Sequence, residues 1–109
     1  MPAVRVLVVD HRESHRRAAR QLVVNTPDFA SLGESASAEE ALETAIQVRP
    51  DLVLVEADMP GIDGLETSKR LEEALPETVV VLLTAERDLT LETLTPAGLQ
   101  ALWRKNQPD

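Results

Sequence analysis

Short runs of apolar residues constrain the fold of this chain more than any other feature of its sequence. They cover residues 4–9, 52–55 and 78–83 and consist mostly of valine and leucine. Runs of this length and composition are typical of strands buried on both faces, as in a parallel sheet. Residues 29–33 form a weaker candidate strand, and residues 101–104 a weak last one.

Helical patterns separate these runs. Residues 14–25 carry apolar side chains at helical spacing. Ser37 with Glu40 forms a capping box at the start of a second helix, and Asp63 with Glu66 repeats the device before a third. The alternation of strand and helix predicts an α/β fold with a doubly wound, five-stranded parallel sheet.

Composition and charge limit the functions open to this chain. Its 109 residues suit one domain, which we predict to span residues 1–109. Eleven basic against 19 acidic residues give a net charge of -8, which disfavours nucleic-acid binding through this chain. The absence of cysteine excludes a disulfide framework and a thiolate metal site. We find no signal-peptide pattern and no membrane-spanning run of about 20 apolar residues, so we expect a cytoplasmic protein without membrane contact.

Polar residues follow the predicted strands. Asp10 and His11 come after the first strand, Glu56 after the third, Thr84 after the fourth, and Lys105 after the weak last one. Ligands of open α/β sheets bind outside the carboxyl ends of the strands. We therefore expect these side chains to converge at one edge of the sheet.

Five motifs in this order resemble the receiver domain of two-component response regulators, in particular the NarL/FixJ type. They are VRVLVVD (4–10), RRAARQLV (16–23), PDFASLGESASAEEALE (27–43), RPDLVLVEADMPGIDGLE (49–66) and VVVLLTA (79–85). The resemblance implies a flavodoxin-like fold, a role in signal transduction by phosphorelay, and a histidine kinase or output module as protein partner.

The same resemblance implies a role for each polar residue at this edge. Receivers hold two adjacent acids after the first strand, where this chain has Asp10 and His11. They hold a phosphoacceptor aspartate where Glu56 stands, and a switch threonine or serine where Thr84 stands. Lys105 occupies the position of the lysine that binds the phosphoryl oxygens.

Three positions depart from the family pattern. His11 replaces a carboxylate, although Mg²⁺ prefers oxygen ligands and imidazole suits softer ions. Glu56 adds a methylene to the phosphoacceptor, and in-line phosphoryl transfer depends on precise positioning. Leu102 stands where receivers carry an aromatic switch residue. We therefore predict weak or absent Mg²⁺ binding, no other cofactor, and no ordinary phosphorylation.

Two interpretations of Glu56 stay open. In one, its side chain reaches toward Thr84 and Lys105 and imitates the phosphorylated state. In the other, it forms an inert ion pair with Lys105. The missing aromatic at Leu102 favours the second interpretation.

Other acids and histidines near this edge have competing interpretations. Asp58 is either a substitute ligand or acceptor, or a solvated loop acid, and we favour the loop acid. Asp10, His11 and Glu56 together form a weak candidate for a transition-metal site. We expect His15 to be exposed on the arginine-rich face of the first helix.

The C-terminal third of the chain departs furthest from the resemblance. Pro96 interrupts the segment that should supply the fourth helix, so we expect a short, irregular or mobile helix there. Only four residues follow Lys105, so we expect the last helix of the family pattern to be missing from this sequence. Either this chain is a fragment of a longer regulator, or a partner covers the apolar sheet face left without its helix. Such an exposed face predicts an interface, which we expect to be that of a homodimer.

These observations predict an atypical, or pseudo-, receiver domain that is not an enzyme and signals through protein contacts. One alternative is a conventional phosphorelay receiver that is phosphorylated at Glu56 or Asp58. Another is the regulatory N-terminal domain of a helix-turn-helix transcription factor.

Overall fold

A computed structural model describes residues 3–107 of the chain as alternating strands and helices. The strands are β1 (Val4–Val9), β2 (Phe29–Ser35), β3 (Leu52–Glu56) and β4 (Val79–Leu83). The helices are α1 (Glu13–Val24), α2 (Ala38–Val48), α3 (Gly64–Ala74) and α4 (Pro96–Lys105), and a 3₁₀ turn spans Ala85–Arg87.

All strands are parallel and follow the order β2-β1-β3-β4. The chain therefore winds in both directions from β1, which confirms the predicted doubly wound α/β fold. Every residue of β3 is buried, as its apolar run predicted. Polar side chains are costly to bury without partners, so the strand admits an acid only at its last position, Glu56.

The core consists of two clusters, one on each face of the sheet. Successive side chains of β1 point to opposite faces, so Val6 and Val8 belong to one cluster and Leu7 and Val9 to the other. The first core cluster, beneath α1 and α4, contains Val6, Val8, Ala19, Leu22, Val23, Leu52, Leu54, Val81, Leu83, Leu91 and Leu99. The second core cluster, beneath α2 and α3, contains Leu7, Val9, Ala41, Ala45, Val53, Val55, Met59, Leu71 and Leu75.

Two helices start where the sequence predicted. The Ser37 hydroxyl accepts a hydrogen bond from the Glu40 amide at 3.3 Å, and an Asp63 carboxylate oxygen accepts one from the Glu66 amide at 2.9 Å. Each bond satisfies an amide that has no partner within its helix.

The predicted last strand at residues 101–104 is wrong, because these residues belong to α4. Thr95 caps this helix by accepting a hydrogen bond from the Gly98 amide at 3.0 Å. Pro96, which we interpreted as an interruption, occupies the first helical position, where its missing amide proton costs nothing. The sheet described for residues 3–107 consequently has four strands instead of five.

Helix α4 also changes which part of the sheet is uncovered. One helix of the family pattern is missing, as predicted, since the described residues form four α-helices. However, Leu99 of α4 is fully buried in the first core cluster, and Leu102 and Trp103 pack against it. The face that we expected to be uncovered is therefore covered by α4. Instead, the outer edge of β4 has no neighbouring strand within residues 3–107.

Replacing Leu99 with alanine tests this packing. We expect Leu99→Ala to lower the free energy of unfolding by about 2–5 kcal/mol, because it leaves a cavity in the first core cluster. Lys105→Ala, at the exposed end of the same helix, should change it by less than about 0.5 kcal/mol. Urea denaturation measures both. Equal effects of the two substitutions would contradict the assigned position of α4.

Candidate functional site

A cleft of about 640 Å³ lies at the carboxyl ends of β3 and β4, beside the start of α1. Its lining includes Arg12, His15, Glu56, Asp58 and Thr84. Asp10 follows β1 directly beneath this cleft, and its carboxylate contacts the Arg12 and His15 side chains. Of the residues predicted to converge, Glu56 and Thr84 line this cleft, and Asp10 lies next to it in contact with Arg12; Asp58 also lines it.

Asp10 is fully buried and fixed by both backbone and side chains. One carboxylate oxygen, Oδ1, accepts a hydrogen bond from the Arg12 amide at 2.9 Å. The Asp10 carbonyl accepts another from the Arg16 guanidinium at 2.8 Å. A buried carboxylate needs such donors, because desolvation otherwise penalises its charge.

Glu56 ends β3 and is almost completely buried. Its Oε1 atom accepts a hydrogen bond from the Asp58 amide at 3.3 Å. Gly64, the first residue of α3, packs directly on the Glu56 carbonyl, where a Cβ atom would overlap that oxygen. The position of Glu56 therefore depends on a glycine that brings α3 close to the end of the strand.

The Arg12 guanidinium links these two carboxylates. Its Nε lies 3.3 Å from Asp10 Oδ1, and its Nη2 lies 3.4 Å from Asp10 Oδ2 and 3.3 Å from Glu56 Oε2. The hydrogen bond to Asp10 and the negative charges of Asp10, Glu56 and Glu92 raise the pKa of Arg12, and partial burial opposes them. The side chain is 40% exposed, so solvent screens part of this attraction.

Arg12 was not among the predicted site residues. The sequence did contain a signal for such a residue. Two acids expected at one edge of the sheet require a positively charged counter-ion nearby. We assigned the role of counter-ion to Lys105, although Arg12 lies only two residues after Asp10 in the sequence.

Lys105 does not reach the cleft. It is the exposed last residue of α4, and the following residue, Asn106, lines a groove with Thr78, Val79 and Val80 at the start of β4. The predicted placement of Lys105 beside Glu56 is therefore wrong, because the chain forms a helix where a strand was expected. Leu102 packs against the first core cluster and does not line the cleft.

Thr84 does line the cleft, at the end of β4. Its hydroxyl accepts a hydrogen bond from the Glu86 amide at 3.2 Å and caps the 3₁₀ turn. This local bond gives the hydroxyl a structural role that does not involve Glu56.

The two histidines are placed differently from our expectations. His15 was predicted to be exposed, but its side chain is only 17% exposed. Its Nε2 lies 3.0 Å from Glu92 Oε1, and its Nδ1 lies 3.6 Å from Asp10 Oδ2. His11 Nδ1 lies 3.7 Å from Asp10 Oδ1, and His11 does not line the cleft.

The donor set does not fit the Mg²⁺ ion that receivers bind. A divalent ion would need the carboxylate oxygens that the Arg12 guanidinium contacts, and His11 offers a nitrogen where a hard cation requires oxygen. Within residues 3–107, no group of three or more His, Cys, Asp or Glu side chains is placed to hold a metal ion. The structure therefore gives no support to a transition-metal site at Asp10, His11 and Glu56.

Comparison with known proteins identifies the class that this fold and site define. A family model for the response regulator receiver domain matches residues 6–106. The chain belongs to the response regulator receiver family.

Individual relatives agree with this assignment. The response regulator GacA of Pseudomonas viridiflava is 35% identical over 96 residues, which are 87% of this chain and 45% of GacA. The nitrate/nitrite response regulator NarL of Escherichia coli K12 is 32% identical over 94 residues, which are 85% of this chain and 44% of NarL. The chain thus spans less than half the length of these relatives.

A solved structure supports the fold. The response regulator domain of Thermotoga maritima CheB superposes with a TM-score of 0.77 at 22% identity, covering 97% of this chain and 99% of that one.

No helix within residues 3–107 is long and apolar enough to cross a bilayer.

Removing the Arg12 guanidinium tests its role as counter-ion. We expect Arg12→Ala to lower the free energy of unfolding by about 1–2 kcal/mol, because it leaves the buried Asp10 carboxylate without its cation. Arg12→Lys should have a smaller effect, since an ammonium keeps the charge but cannot contact both carboxylates as the planar guanidinium does.

Arg17→Ala is the matched control. Arg17 lies in α1, the helix that begins directly after the N-cap residue Arg12, and forms an exposed i,i+4 pair with Glu13, so its loss should cost less than about 0.5 kcal/mol. Urea denaturation at neutral pH compares the variants. An Arg12→Ala protein as stable as the Arg17→Ala protein would show that Arg12 does not stabilise the buried acids.

Proposed function

We propose that this chain is a pseudo-receiver, which signals through protein–protein contacts without phosphorylation at Glu56. The Arg12 guanidinium, which bridges Asp10 and Glu56, is the observation that carries the proposal. It supplies within the chain the positive charge that a receiver site otherwise takes from a divalent ion. The resident charge and the missing metal ligands together oppose phosphoryl transfer.

The charge of the cleft also opposes phosphorylation. Five acids, Glu56, Asp58, Asp63, Glu86 and Glu92, line it against the single arginine and His15. A phosphoryl group would add further negative charge beside these carboxylates without a lysine to balance it. Only Glu56 of these acids is buried, so its charge is the least screened by solvent. Repulsion between like charges disfavours both an anionic phosphodonor and the phosphorylated product at Glu56.

The position of Lys105 supports one of the two interpretations of Glu56. A side chain that imitates the phosphorylated state would engage both Thr84 and Lys105. Lys105 lies at the other end of the sheet, and the Thr84 hydroxyl bonds to Glu86. We therefore favour a structural ion pair, with Arg12 in the place that we had assigned to Lys105.

The proposed partners are proteins. GacA and NarL are response regulators in which the matched part covers less than half of the length. A histidine kinase or an output module is accordingly the partner that we propose, together with a second copy of this chain in a homodimer. The net charge of -8 argues against nucleic-acid contact through this domain. We propose no catalytic activity and a cytoplasmic location.

The first test measures the intact mass of the protein after incubation with acetyl phosphate and Mg²⁺. We expect no phosphate adduct, because the guanidinium, His11 and the longer Glu56 side chain all oppose transfer. Glu56→Asp is measured in parallel, and we again expect no adduct, since Arg12 and His11 remain in place.

Each contrary result has a separate meaning. An adduct on the natural protein would overturn the proposal and support a conventional phosphorelay receiver that uses Glu56 or Asp58. An adduct on Glu56→Asp alone would show that the cleft still accepts Mg²⁺ and that the glutamate is the one obstacle. That result would leave the natural protein silent but would refute the proposal that Arg12 opposes phosphoryl transfer.

A further inference from the structure

The outer edge of β4 is an open row of backbone hydrogen-bonding groups. On its inner side, the Val79 amide donates to Asp51 O at 3.0 Å and the Ala57 amide donates to Leu83 O at 2.8 Å. Backbone groups alternate in direction along a strand, so Val79, Val81 and Leu83 face β3. Val80 and Leu82 therefore direct their amides and carbonyls outward, where no strand pairs with them within residues 3–107.

This edge lacks three features with which proteins protect open strands: a charge, a proline and a bulge. The sequence of β4 is VVVLL, without a charge, a proline or a bulge. Exposed edges are ordinarily blunted by such features, because a flat apolar edge pairs readily with another chain. The composition of β4 thus permits its outer edge to pair with another strand.

The opposite edge of the sheet, β2, shows the protection that β4 lacks. Its pairing with β1 shifts register between Val6 and Leu7, and Gly33 adopts a positive φ there. Glu34 places a charge on this strand and pairs with Arg20 at 2.8 Å. Only one of the two edges is therefore suited to pairing, which favours a closed dimer over an open-ended array.

A groove lies beside the start of β4. Its volume is about 640 Å³, and its lining includes Glu72 of α3, Val79, Val80 and Asn106 after α4. Val79, Val80 and Leu82 are all partly exposed. Their apolar side chains extend toward both faces of the sheet, since Val79 packs with the first core cluster and Val80 and Leu82 with the second.

We propose that a second copy of this chain pairs with this edge, β4 to β4, about a two-fold axis at Val81. In this antiparallel register, Val80 lies opposite Leu82 of the second copy and exchanges reciprocal backbone hydrogen bonds with it. The same pairing repeats across the axis, because the outward-facing residues are spaced symmetrically around Val81. The two sheets then form one continuous sheet.

The strand is its own complement in this arrangement. Val80 and Leu82 meet on one face of the sheet, and Val79 meets Leu83 of the second copy on the other. Each copy therefore extends both core clusters of its partner. This inference names the surface of the homodimer proposed above. It depends on that proposal only for a role in signalling, because the phosphate-adduct measurement does not involve this edge.

Acidic residues flank the pairing strand. Glu77 precedes it and Glu86 follows it, so the antiparallel register brings Glu77 of one copy near Glu86 of the other. Like charges at these exposed ends repel, and salt screens the repulsion. The dimer should consequently strengthen as the salt concentration rises.

Sedimentation equilibrium of the full chain over a wide range of protein concentration tests the inference. We expect a reversible monomer–dimer equilibrium for the natural protein. Val80→Pro removes an outward amide from each copy while leaving the pairing with β3 intact, a position that edge strands tolerate. We expect it to weaken association roughly 10- to 100-fold. Val80→Ala keeps the amide and is the matched control, which should still dimerise.

Hydrogen exchange of the natural protein gives an answer that does not depend on the variant folding. The Val80 and Leu82 amides should exchange quickly in dilute solution and slowly in concentrated solution, whereas the Val81 amide, bonded to β3, should not change. A monomer at all concentrations would overturn the inference. So would a dimer in which the Val80 and Leu82 amides stay unprotected, or one that Val80→Pro leaves intact.

Discussion

The site of this protein depends on two carboxylates, Asp10 and Glu56, buried at the ends of adjacent parallel strands. Topology forces them together, since β1 and β3 are neighbours whose carboxyl ends lie at one edge. Buried acids of like charge require a nearby cation. Arg12 supplies it from the loop after β1, within 3.3 Å of both carboxylates. A charge carried by the chain itself leaves the arrangement independent of a bound ion, which is the physical basis of the proposed pseudo-receiver role.

Helix α4 has an equally large influence on the outer surface of the domain. By packing Leu99 into the first core cluster, it covers the sheet face that would otherwise be exposed. The same residues cannot also form a strand beside β4. Residues 96–105 thus cover one face of the sheet instead of adding a strand to its edge. As a result, no strand within residues 3–107 pairs with the outward backbone groups of Val80 and Leu82.

Local signals in the sequence located most of the elements correctly. The apolar runs located the buried strands, and the caps at Ser37 and Asp63 located two helices, because these signals act over a few residues. The placement of Asp10, Glu56 and Thr84 at one edge followed from strand order alone. The prediction for the C-terminal segment was wrong because proline breaks a helix in its interior but is favourable at the first helical position. Pro96 occupies that first position, and the cap at Thr95 was overlooked.

The sequence by itself determined the parallel α/β core, the family, and the presence of glutamate and histidine where receivers carry acids. These follow from composition and order along the chain. Only the tertiary structure decided which cation serves Glu56, where Lys105 lies, and which edge stays open. Such features depend on contacts between residues distant in the chain. Local pattern does not report which of several nearby cations reaches a buried acid, or whether an apolar segment packs on a face or pairs at an edge.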